Sequence, residues 1–577
     1  MKKIVLIIST AFFLLLFLIC WAPPIHLPVY ETLEDSTKIA KGETLFNQNC
    51  IGCHGFKQDG IGPQLGGLTT QVSSSWIQHF IQNPQKIIRS GDKRAQQLYK
   101  KYKVVMPSFP ALKQNDLNSI VAFLQTKKTP TEPITKDNAA ALSNPIPEPI
   151  KLSNLVADLE VVTTIPPSAD QGPFTRITKI GFQPNNANLF VVDLRGKLYQ
   201  LRNNKPLVYM DMEKLQPKFM NKPGYGTGFG SFAFHPDFLK NGLLYTTHSE
   251  PPGSAKADFS YADSIKVGVQ WVVTEWKVDN PLDTVFSGKG RELFRVNMVS
   301  VIHGIQEITF NPLSKPGSDD YGLLYIGIGE GGAVENGFPF LAHNPENIWG
   351  TVLRIDPAGN NSTNKQYGIP KNNPFVQSKN SKVLKEVYAY GFRNPHRITW
   401  TSKGEMLVCN IGHGNVESVN LIQPGHDYGW PIREGTFAVN PSGNLNKIFK
   451  LPANDQTYNI TYPVAQFDHD EGKAISGGYE YTGTAVPQLK GKFLFGDIPS
   501  GRLFYFDLAE MKQGKQATIK EWKVSVNGTL KTLKELCGSD RVDLRFGKGS
   551  KGEIFISTKA DGKIYKIVSA EMKTVKL

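Results

Sequence analysis

Apolar and polar positions follow three regimes along the chain. Residues 1–22, MKKIVLIISTAFFLLLFLICWA, are two lysines followed by an apolar run of about 18 residues. Between 36 and 128 apolar residues recur at three- and four-residue spacing, as at Leu117, Ile120, Val121 and Leu124 and through SSSWIQHFIQNPQKII, which predicts amphipathic helices. Residues 129–150 are proline-rich without periodicity and read as an extended spacer. From 151 onward, short β-type runs alternate with Gly, Asn, Asp and Pro turns.

Six of these runs can be laid over one another: NLFVVDLRGKLYQL, GLLYTTHSE, GLLYIGIGEGG, GEMLVCNIGHGNVESVNLI, GKFLFGDIPSGRLFYFDL and GEIFISTKADGKIYKI. Each is a strand, a turn and a second strand or its beginning. Repetition at this spacing predicts a β-propeller, whose site lies in loops at one mouth of the central channel. The expected organisation is a leader or anchor (1–25), a small all-α domain (36–128), a linker (129–150) and an all-β six-bladed propeller (151–577).

Composition changes this picture little. The 40% hydrophobic content of the 577 residues suits large cores. The net charge of +14 is spread as a solvated surface without an arginine-rich arm, so no nucleic-acid partner is expected. An acidic redox partner stays open, because steering needs only a diffuse field. The apolar leader marks an exported, periplasmic protein, and three fates remain open for it: cleavage, retention as an inner-membrane anchor through residues 4–22, or lipidation at Cys20.

Cysteine usage adds chemistry. Five cysteines make no disulfide scaffold, but Cys50, Cys53 and His54 form C-x-x-C-H, the attachment pattern of covalent haem c. Two thioethers hold the porphyrin edge and the adjacent histidine becomes an iron ligand. No second Cys/His pair lies nearby to make a zinc site. The stretch MPSFPALKQNDLNSIVAFL (106–124) resembles the C-terminal part of small class I cytochromes c, which implies Met106 as the sixth ligand and the Pro63 carbonyl as partner of the His54 imidazole. Cys409 and Cys537 read as two separate thiols, although export leaves a disulfide open.

In the propeller, FAFHPDF (232–238), AYGFRNPHRITW (389–400) and VNLIQPGHDYGWP (419–431) resemble the glucose/sorbosone dehydrogenase family, whose members use pyrroloquinoline quinone (PQQ) and calcium on a six-bladed propeller. The resemblance covers residues 170–570. It implies that His303 is the base removing a hydroxyl proton, that Arg393, Asn394 and Arg541 contact PQQ, and that backbone carbonyls of Gly412 and His413 hold Ca²⁺. Glu330 and Glu417 are further candidates for calcium.

Two departures stand out. Pro499 occupies the place of a family lysine that grips the cofactor, and Asp543 that of a second arginine, unless Arg545 or Arg502 substitutes. The wording DLRFG and FGDIPSGRL is also reminiscent of hedgehog-interacting proteins, whose propeller binds partners. The expected function is therefore a periplasmic quinohaemoprotein oxidising an aldose or polyol and passing electrons through haem c to a soluble cytochrome or a membrane chain. The alternative is a cytochrome whose propeller is a non-catalytic carbohydrate- or protein-binding module.

Overall fold

The computed structural model describes residues 33–573 apart from 132–139, 171–172, 187 and 221–225. The leader, with Cys20, lies outside the described residues.

The helical domain is built from α1 (Leu33–Asn49), α2 (Leu68–Gln71), α3 (Ser74–Gln82), α4 (Pro84–Arg89), α5 (Lys93–Tyr102) and α6 (Gln114–Gln125). The apolar stripe of α6, Leu117, Ile120, Val121 and Leu124, is buried against Phe46 of α1 and Ile77 and Ile81 of α3. The single helix expected over 73–88 is two. Pro84 cannot donate to the helical ladder, and the Asn83 side chain accepts the Lys86 N–H at 3.0 Å, so α4 starts afresh with a proline in its first turn.

From 151 the described residues form six four-stranded antiparallel blades. Blade A is β2 (Ile177–Phe182), β3 (Leu189–Asp193), β4 (Lys197–Arg202) and β5 (Lys205–Asp211); blade B is β6 (Phe229–Phe234), β7 (Leu243–Glu250), β8 (Val269–Val278) and β9 (Gly288–Met298). Blade C is β10 (Glu307–Phe310), β11 (Leu324–Ile328), β12 (Thr351–Ile355) and β13 (Val387–Tyr390). Blade D is β14 (Pro395–Trp400), β15 (Met406–Asn410), β16 (Val416–Leu421) and β20 (Ala465–Asp468), interrupted by a small sheet of β17 (Arg433–Glu434), β18 (Phe437–Val439) and β19 (Ile448–Phe449). Blade E is β21 (Ile475–Glu480), β22 (Lys492–Asp497), β23 (Leu503–Asp507) and β24 (Lys520–Val526), with β25 (Thr529–Lys531) on its edge. Blade F is β26 (Leu544–Lys548), β27 (Ile554–Thr558), β28 (Lys563–Met572) and, as outermost strand, β1 (Lys151–Thr164).

The innermost strands pack in the cycle β2, β6, β10, β14, β21, β26 and back to β2, which closes the ring. Pairing of β1 with β28, register Val156↔Glu571, makes the last blade from both ends of the domain. Between successive blades lies an apolar layer; Trp271, Leu324 and Leu353 fill the one between B and C, and Trp522, Leu544 and Tyr565 the one between E and F. Gly547 lets β26 approach β2, since a Cβ there would meet Ile180 Cβ at 2.4 Å. All six overlaid sequence runs lie on second and third strands of blades.

Ionic groups cross the channel below the mouth. Arg397 of blade D bonds Glu307 of blade C and donates to Thr178 O of blade A at 3.1 Å, while Lys179 of blade A donates to Glu307 Oε1 at 2.7 Å. Blades A and D face each other across the ring, so this buried triad spans the axis. The chain before β1 runs along blade D, where Leu142 N donates to Ile448 O at 2.9 Å and Ile146 N to Asp468 Oδ2 at 3.2 Å.

Candidate functional site

Cys50, Cys53, His54 and Met106 line one cavity of the helical domain, with Ile77, Leu98 and Ile120 among its apolar walls. The His54 Nδ1–H donates to Pro63 O at 2.8 Å, which fixes the tautomer and leaves Nε2 for a metal. Gly62 is required for this placement: a Cβ there would stand 2.6 Å from His54 Cε1. Paired thiols, an oriented imidazole and a thioether around an apolar cavity fit a haem.

The haem-attachment loop, residues 51–61, covers the propeller mouth. Between them is a cavity of about 200 Å³ whose other wall carries His303, Glu335, Arg393, Gly412, His413 and Lys473. Cys53, His54 and Ile61 line both cavities, so this segment of the C-x-x-C-H loop is a wall common to the two. Contacts across the interface are few and polar. Gln58 Oε1 accepts the Leu445 N–H at 2.8 Å, and exposed pairs join Lys103 to Asp470 (3.1 Å) and Arg89 to Asp540 (3.6 Å).

His303 leads into blade C with φ +52°, a left-handed conformation that costs energy in a non-glycine residue. Its Nδ1 lies 3.5 Å from Glu330 Oε1, and Glu330, fully buried, is fixed by the Gly332 and Val334 N–H groups at 3.1 and 2.8 Å. Burial, then the Arg393 charge, pushes the His303 pKa below the ordinary histidine value, so the imidazole is neutral at physiological pH.

Arg393 enters from the turn before β14. It donates to Gly412 O and, through Nη2, to Glu335 Oε1, which also accepts the His413 Nδ1–H at 3.1 Å. Burial opposes the charge of Glu335, but Arg393 and His413 outweigh it and hold the carboxyl well below its usual range. Beneath, Glu434 Oε1 accepts the backbone N–H groups of His413, Asn415 and Val416 at 2.8, 2.9 and 2.9 Å and so fixes the loop that presents Gly412. Glu417 accepts the Gly412 N–H at 3.2 Å and meets His469 Nε2 at 3.1 Å; burial raises its pKa well above the carboxylate norm.

The structure thus brings together His303, Arg393, Gly412 and His413. It separates Asn394, buried but not on the cavity wall, with its N–H bonded to Asn410 Oδ1 at 2.9 Å. Arg541 also lies apart, at the haem cavity. Arg502 is held by Glu471 and Glu521 at 2.8 and 2.7 Å, and Arg545 is buried near the axis, so neither fills the place of the missing lysine at Pro499. Lys473 does reach the cavity, with Nζ donating to His469 O. Cys409 and Cys537 are both free thiols.

Lys473, Glu335 and Glu434 escaped the sequence reading. The signal for Glu335 was a charge in the Gly-rich turn GEGGAVENG, and for Glu434 the acidic residue closing WPIREG.

Cofactor fit differs by group. Arg393 Nε and His413 Nε2 are buried nitrogens without a partner on residues that line the cavity, and with Lys473 they suit a planar, carbonyl-rich anion such as PQQ. Calcium fits less well. The Gly412 carbonyl is engaged by a guanidinium, and Glu335, which with His303 and Glu330 forms a cluster with donor atoms within 4.8 Å, is already shared between Arg393 and His413.

A propeller whose mouth carries a buried base and cations under a haem-attachment loop defines a two-domain redox architecture. The sequence profile of glucose/sorbosone dehydrogenase matches residues 175–526 and that of cytochrome c residues 39–128. The chain belongs to the glucose/sorbosone dehydrogenase family and carries an N-terminal cytochrome c domain. It is 28% identical to the HIPL2 protein of Arabidopsis thaliana over 48% of this chain and 43% of that protein. With the quinoprotein glucose dehydrogenase B of Acinetobacter calcoaceticus it shares 26% identity over 55% of this chain and 64% of that protein. Each match thus spans less than two thirds of the relative. A solved glucose dehydrogenase shares the fold, with TM-score 0.50 and 18% identity over 73% of this chain and 99% of the other.

Proposed function

We propose that the chain is an exported, periplasmic quinohaemoprotein that oxidises an aldose or related polyol at the propeller mouth with PQQ. Its electrons leave singly through covalent haem c to a soluble cytochrome or a membrane respiratory chain. The observation that supports this reading best is the common wall: Cys53 and His54 border both the haem cavity and the cavity holding His303 and Arg393. A donor site and an electron port built this close have a shared task.

When bound, PQQ supplies a two-electron acceptor for the hydride of the substrate carbon. Arg393, Lys473 and His413 would hold its anionic and carbonyl oxygens. His303 does the proton chemistry: with Nδ1–H leaning on Glu330, the Nε2 lone pair takes the hydroxyl proton. Residues 51–61 exclude bulk water from above, which strengthens each charge interaction within. No step is assigned to calcium.

A second reading, favoured by the hold of Glu335 on Arg393, is a propeller that binds carbohydrate or protein without a quinone. One experiment separates them. The haem-loaded protein, given PQQ, is mixed anaerobically with a panel of aldoses while the haem spectrum is followed. Reduction of ferric haem only when sugar and PQQ are both present supports the dehydrogenase. Haem that dithionite reduces but no sugar does, with no PQQ bound, overturns it.

A further inference from the structure

Among the residues lining the haem cavity, Arg541 alone belongs to the propeller; it stands in the loop before β26. Its Nε donates to Asp543 Oδ1 at 2.9 Å, and both side chains are largely buried. Asp543 holds φ +51°, a left-handed turn in a non-glycine residue that brings its carboxylate back under the arginine two positions earlier. The anchored guanidinium faces the attachment side of the haem, where its charge bears on Cys53 and His54.

We propose that Arg541 is a positioning and tuning residue for the haem: it docks the propeller onto the haem edge and raises the reduction potential while the domains are together. The electrostatics are simple. Reduction of Fe(III) to Fe(II) adds one electron and removes one positive charge, so a fixed cation nearby favours the reduced form. Asp543, paired with Arg541 at 2.9 Å, offsets part of that charge.

The cation belongs to the other domain, which makes the potential depend on docking. The interface is held by exposed ion pairs and by hydrogen bonds such as that from the Leu445 N–H to the Gln58 side chain, contacts of a kind that are individually weak. Docked, the haem is the stronger acceptor, beside the donor site; released, it loses the guanidinium and becomes the stronger donor for an outside partner. The proposal rests on the haem and not on the quinone.

The test is a spectroelectrochemical titration of the full-length, haem-loaded protein without PQQ or sugar. Arg541→Gln lowers the midpoint potential, Arg541→Lys keeps most of it, and Asp543→Asn, which leaves the guanidinium uncompensated, raises it. Lys103→Glu, which sets like charges against Asp470 and loosens docking, lowers the wild-type potential but not that of Arg541→Gln. An unchanged midpoint in Arg541→Gln, with haem spectrum and unfolding temperature as in wild type, overturns the proposal. If that variant does not load haem, an unmoved potential in Asp543→Asn has the same force.

Discussion

His303 is strained, half-buried and neutral, and each property bears on a measurement. Its pKa is lowered, so the base is active above that value and is lost by protonation below it. The pH profile of kcat/KM for sugar-dependent haem reduction should therefore rise through a limb below about 6.5, the ordinary histidine value, and be flat at neutrality. His303→Ala should cut that rate by about 10²- to 10⁴-fold while dithionite still reduces the haem. Glu335 works the opposite way on the cofactor, because it takes up the charge of Arg393 and a proton of His413. Glu335→Gln should tighten PQQ binding by roughly tenfold, read by equilibrium titration, since a charge-assisted bond becomes available to the ligand.

The elements show which parts of this molecule were legible beforehand. Blade strands announce themselves, because strand, turn and strand recur and the buried rows are nearly all apolar, as in β11 and β27. The haem motif is equally legible, being local: Cys50, Cys53 and His54 share one loop, and Gly62–Pro63 follow within ten residues. Gly62→Ala should drive a methyl group into the His54 ring and change the haem spectrum, even though α1 and α6 are untouched. What could not be read is where loops from different blades meet. Glu335 joins His413 across 78 residues, and Lys473 reaches the cavity from the turn after blade D. Arg541 was placed by resemblance at the quinone, and it stands at the haem because the docking of one domain on another leaves no periodicity in either sequence.

Across the whole molecule, buried charge sets both stability and its pH dependence. Glu307 sits between Lys179 and Arg397, all three nearly inaccessible, so Glu307→Gln leaves two buried cations short of a counter-charge. A cost of about 3–5 kcal/mol is expected in chemical denaturation. Several histidines are held neutral by their surroundings. Burial, followed by nearby cations, lowers His303, His396 and His469, the last to about 3. Below about pH 6.5 the unfolded chain takes up protons that the native chain refuses, so stability should be full above that pH and fall on acidification toward about 3. Glu417, Asp427 and Asp468, whose carboxyl pKa values burial raises, pull the other way, while Glu335, held well below its usual range, adds to the loss on acidification.

The Arg397 bridge has a consequence for how electrons can be collected from outside. It crosses the channel from beneath, and residues 51–61 stand over the mouth, so the cavity between them is narrowed at both ends of the axis. Under the proposed function, a bulky dye or a foreign redox protein is expected to draw current more readily at the haem domain than through the narrowed mouth. On that reading the fold works as insulation around a preferred terminal, and charge released inside leaves by the haem rather than leaking to whatever oxidant is nearby.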